Sequence, residues 1–164
     1  MAFTHKILDE LPGGKADYNF GDSSGDGLIV QVSADKEEWV GFFAFGGSSS
    51  LYGVFGWPES DKVFVISKGS GYIVNVNDPS EVEEVNIGTI SSIDVLPNKS
   101  VVVANSTKVA LLGATGEVWA VNNDGLQGIR ITGVSDDTIT AQSQEKGSVE
   151  WSDFKIDVST GKLI

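Results

Sequence analysis

A recurring order of short apolar stretches and tight polar turns, with a period near forty residues, constrains this chain more than any other feature. It is clearest over Ile93–Val121, IDVLPNKSVVVANSTKVALLGATGEVWAV. An apolar strand runs into a Pro-Asn-Lys-Ser turn. A Val-rich strand, a short break and a further apolar strand follow, and an Ala-Thr-Gly-Glu turn leads into a Trp-bearing strand. Such runs of four to eight residues bounded by turn formers specify a β-meander. The same order recurs on both sides. Val54, Ile93 and Ile131 open the units, 39 and 38 residues apart. The first turns are Ser60-Asp61-Lys62, Asn98-Lys99-Ser100 and Ser135-Asp136-Asp137, with Pro58 and Pro97 leading two of them. Strands are expected at Val63–Ser67, Val101–Asn105 and Ile139–Ser143. The last tight turns are expected at Asp78-Pro79-Ser80-Glu81, Ala114-Thr115-Gly116-Glu117 and Ser159-Thr160-Gly161-Lys162. Apolar residues at sustained helical spacing are absent after residue 20.

Residues 1–27 read as an irregular N-terminal segment. Within it Thr4 is expected to cap a short helix whose Ile7, Leu8 and Leu11 share a face, ended by Pro12-Gly13-Gly14. The GDSSGDG stretch at 21–27 is a polar loop. A hairpin is expected over 28–45, turning at Asp35-Lys36-Glu37. In its second strand Trp39, Phe43 and Phe45 point one way and Val40, Phe42 and Ala44 the other, which places that strand between two layers. Blade-sized repeats then occupy 53–87, 93–122 and 129–164, and the 164 residues fit a single domain.

The three repeats resemble the four-stranded blades of WD40-type β-propellers over 53–164. The resemblance is one of layout: the Gly-His and Trp-Asp pairs of those repeats are not present, and Trp119 is followed by Ala120. Phe45-Gly46-Gly47 and Gly71–Val76 also resemble a pattern in small bacterial all-β proteins of no assigned function. The resemblance implies an all-β fold of repeated four-stranded antiparallel meanders, a partial or half β-propeller, with a β-sandwich of the same meanders as the alternative. The third repeat has a longer connection at 142–151 and only Gly161–Ile164 for a last strand. Three repeats and a hairpin fall short of the ~4 blades of a closed ring. Either the hairpin adds strands to the last repeat, or two chains join half-rings as a homo-oligomer.

Composition narrows the chemistry. Without cysteine there is no disulfide, zinc-thiolate site or thiol nucleophile. No apolar run approaches the ~20 residues of a membrane span. The charged N-terminus lacks the apolar core of a secretion signal, so the expectation is a cytoplasmic protein away from membranes. A net charge of −12 disfavours nucleic acid and anionic lipid, and favours either simple solubility or a basic protein partner.

The one histidine, His5, lies near the terminus, and no dinucleotide or phosphate loop is present. Lys68-Gly69-Ser70-Gly71 reads as a hairpin turn. No catalytic set emerges, so an enzyme is not expected. Asp22-Ser23-Ser24-Gly25-Asp26-Gly27 resembles the first half of a calcium loop, with Asp22, Ser24 and Asp26 as candidate ligands and Gly27 at the bend. Ser33 stands where such a loop needs a bidentate Glu, and a polar turn is the competing reading. Calcium is the one cofactor the residues suggest. Tyr52, Phe55 and Trp57 are candidate ligand-binding aromatics on a connecting loop, or caps on the core. The function expected is a non-catalytic interaction module, in one concrete form an acidic immunity-type protein. The alternative is a carbohydrate- or small-ligand-binding β-protein.

Overall fold

A computed structural model of the protein describes residues 3–35, 37–47, 49–85 and 87–164. The fold is all-β: among the described residues fifteen strands form four small sheets. A sandwich would need two larger sheets. The sheets divide between two compact units, 1–89 and 90–164.

In the first unit, β1 (Thr4–Leu8), β2 (Tyr18–Phe20), β3 (Gly27–Ser33) and β4 (Glu38–Ala44) form a sheet in the order β1-β3-β4-β2. β3 and β4 are the hairpin read from the sequence. The turn between them includes Lys36, which lies outside the described residues. Trp39 to Ala44 are all buried, as apolar residues on both faces of β4 require. Two expectations are corrected here. Thr4–Leu8 is a strand paired with β3, not a helix. Thr4, His5 and Lys6 stay exposed, so no apolar helix face is needed. The hairpin also sits in its own sheet with β1 and β2, so it does not complete the last repeat.

The second sheet is a meander of β5 (Tyr52–Trp57), β6 (Lys62–Ser67), β7 (Ser70–Asn75) and β8 (Asp78–Val85). Between β6 and β7, Lys68 and Gly69 both have positive φ, at 43° and 91°. That is the primed two-residue turn matching the twist of a hairpin. The turn expected at Asp78–Glu81 lies earlier. Asn75 Oδ1 accepts the N–H groups of Asn77 and Asp78, and this side-chain turn closes the chain before Pro79. Pro79 then sits in β8, an edge strand that tolerates a missing N–H.

The second unit holds a meander of β9 (Ser92–Val95), β10 (Val101–Ala104), β11 (Lys108–Gly113) and β12 (Gly116–Asn122). Val101 to Ala104 are wholly buried, as their two apolar faces imply. The last sheet has three strands, β13 (Leu126–Val134), β14 (Thr138–Glu145) and β15 (Ser152–Asp157). The residues expected to form a fourth strand make one bridge, Ile156 to Leu163.

Both units follow one plan. In the first, Trp39 Nε1 donates to the carbonyl of Val76, just past β7, at 2.9 Å. In the second, Trp119 Nε1 donates to the carbonyl of Val158, just past β15, at 2.7 Å. Val76 N donates to Asp61 O, and Val158 N to Asp137 O, each acceptor standing just before the preceding strand. The residue before each valine, Asn75 or Asp157, caps the turn with its side-chain oxygen. Each indole thus fixes one sheet of its unit to the other through a directional bond at the edge of an apolar core.

Candidate functional site

In the first unit aromatic rings pack together between its two sheets. Four residues beyond Trp39 stands Phe43, and four residues before Val76 stands Tyr72. Their rings lie 5.5 Å apart, with Phe20 stacked on Phe43 at 4.5 Å. Ser67, wholly buried, donates to Phe43 O at 2.7 Å, which satisfies its hydroxyl. Burial pushes the Tyr72 phenol above its usual 10.0, Glu84 adds to the rise, and a hydrogen bond with Ser70 opposes it.

The corresponding residues of the second unit are Asn123 and Phe154, and here the space is open. They line a cavity of about 520 Å³ between its two sheets. Val109, Val121, Leu126 and Ile129 supply apolar wall, continuous with the core formed by Val102, Leu111, Ile139 and Ile156. Ser143 and Lys162 add polar groups, and none of the lining residues is acidic. Sequence reasoning missed this cavity because its walls are ordinary strand residues. The signal available was a register comparison: where one tryptophan is followed at the fourth position by Phe, the other is followed by Asn.

A second feature lies on β8. Among the described residues it pairs only with β7, so its outer edge presents backbone groups without a described strand partner in the sheet. Asp78, Glu81, Glu83 and Glu84 are exposed. Residues 69–98 contain no Lys, Arg or His. A small notch of about 270 Å³ beside the strand is lined by Ser70, Tyr72, Glu84 and Thr89, among others.

The residues singled out from sequence are placed as follows. Tyr52, Phe55 and Trp57 lie on β5 rather than a loop. Strand alternation sends Phe55 and Trp57 to one face, where both pack on Phe64 at 6.2 and 5.9 Å. Trp57 is buried, while Tyr52 is 59% exposed on the other face. The three therefore do not converge. Asp22, Ser24 and Asp26 lie in the exposed loop between β2 and β3. Asp22 Oδ1 accepts Ser24 N–H at 2.9 Å, and that bond holds its carboxyl below the usual 3.8. Among the described residues no group of three or more His, Asp or Glu side chains is disposed to hold a metal. No helix among them is long and apolar enough to cross a membrane.

No family model matches the chain, and no curated protein matches it. Among solved structures it is similar to the N-terminal domain of Nup159, with a TM-score of 0.43 and 13% identity over 99% of this chain. The chain spans about half of that one, 49% of its length. Likeness at that level says nothing of activity or partner.

Proposed function

We propose that this protein is a non-catalytic interaction module that receives a basic protein partner along β8. The observation that carries the reading is the charge segregation there. Four exposed carboxylates line an edge strand, in a thirty-residue stretch (69–98) without one cationic side chain. An open edge binds extended chain by continuing the ladder, and side chains at alternate positions supply selectivity. Acidic edge residues repel a second copy of the same edge and attract a strand carrying Lys or Arg. The notch at Glu84 offers room for one such side chain. An immunity-type role, neutralising a basic protein by covering its surface, is the concrete form that fits the charge of the chain.

The test is affinity capture by the wild-type protein and by a Glu81→Gln/Glu83→Gln/Glu84→Gln variant at low and high salt. A basic partner is expected on the wild type at low salt, with association slowed roughly tenfold by the three substitutions. An identical captured set for both proteins, insensitive to salt, would count against the reading.

A further inference from the structure

We propose that the cavity of the second unit is a binding site for a small amphipathic anion, an apolar body of about ten carbons bearing one carboxylate. The two units share one plan of tryptophan and valine hydrogen bonds. Where Phe43 and Tyr72, with Phe20 stacked beside them, close the first, Asn123 and Phe154 leave about 520 Å³ in the second. That volume is within the range of small-molecule sites. The opening is not a defect of framework, because the Trp119 bond to Val158 and the Val158 bond to Asp137 are both made.

The lining then selects the ligand. Val109, Val121, Leu126 and Phe154 offer an apolar wall with no polar atom to satisfy. Its polar lining residues are Thr107, Asn122, Asn123, Ser143 and Lys162, and Lys162 is the one cation among them. Asn123 uses its side-chain oxygen on Gly125 N–H, which leaves the amide N–H₂ to donate. Lys162 is positioned through its backbone: its carbonyl accepts Asp157 N–H at 2.8 Å, and its N–H donates to Thr160 Oγ1 at 3.2 Å. In a chain of net charge −12, a cavity lined by one cation and no carboxylate is complementary to an anionic head on an apolar body. The reading is independent of β8 and of any protein partner.

The experiment is calorimetry and NMR on the full chain with decanoate, compared with decanol and decyltrimethylammonium. One decanoate per chain is expected, with shifts centred on Val109, Val121, Leu126 and Phe154, and weaker binding of the other two probes. Lys162→Gln should weaken decanoate about five- to tenfold. Asn123→Phe, which copies Phe43, should abolish binding while the melting transition is retained. If that variant does not fold, Ser143→Leu fills the cavity from its other side and should abolish binding in the same way. Absence of decanoate binding at millimolar concentration would overturn the proposal. So would decanol binding as tightly as decanoate, or affinity unchanged in Lys162→Gln and in the folded filling variants.

Discussion

Two tryptophans and the groups around them test the shared plan at the residue scale. Replacing Trp119 by Phe keeps a ring but removes the donor to Val158 O, and should lower stability by about 1 kcal/mol in urea unfolding. Trp39→Phe should cost more, about 1–3 kcal/mol, because Trp39 is wholly enclosed and would leave a buried carbonyl unpaired. Gly161 is held at φ +73°, and a Cβ there would lie 2.6 Å from the Trp119 ring. Gly161→Ala should therefore destabilise by about 1–3 kcal/mol. Asp61 has a left-handed backbone, and its buried Oδ1 has no hydrogen-bond partner among the described residues. Asp61→Asn keeps a residue tolerant of that backbone and removes the carboxylate, and should raise stability by up to about 1 kcal/mol.

Asp157 supplies a pH signature. Its carboxylate accepts the Ser159 hydroxyl and the N–H groups of Ser159 and Thr160, and these bonds hold it below the usual 3.8. A carboxyl depressed in the fold contributes stability that is present above its unfolded value and lost as pH falls through the folded one. NMR titration should place its midpoint below 3.8, with the Ser159 amide shifting in step.

At the scale of elements, the strands of the repeats were legible because they are short, apolar and bounded by turn residues. Val101–Ala104 and the second hairpin strand were legible even to their burial on both faces. What was not legible depended on partners distant in sequence. Thr4–Leu8 takes its strand conformation from β3, more than twenty residues on. The turn before β8 is made by the Asn75 side chain and not by Pro79, although proline is the stronger turn former in the local sequence. The aromatic trio is divided between two faces because a strand, unlike a loop, separates successive side chains by face. The acidity of β8 was visible in the sequence, but its edge position was not, since that rests on sheet order.

For the whole molecule, period and pattern revealed the units of about forty residues but not their pairing into units of two sheets. That pairing rests on hydrogen bonds spanning 37 and 39 residues, which no local pattern announces. The cavity is a further consequence of pairing: the same plan is filled by aromatics once and left open once. Its walls carry no motif, so composition alone would not have found it.

Amide hydrogen exchange of the protein with and without its captured partner decides whether the interaction runs along β8. Exchange should slow across Asp78–Val85, where an added strand would take up the free edge groups. Slowed exchange elsewhere with those residues unchanged would contradict the proposed mode of binding.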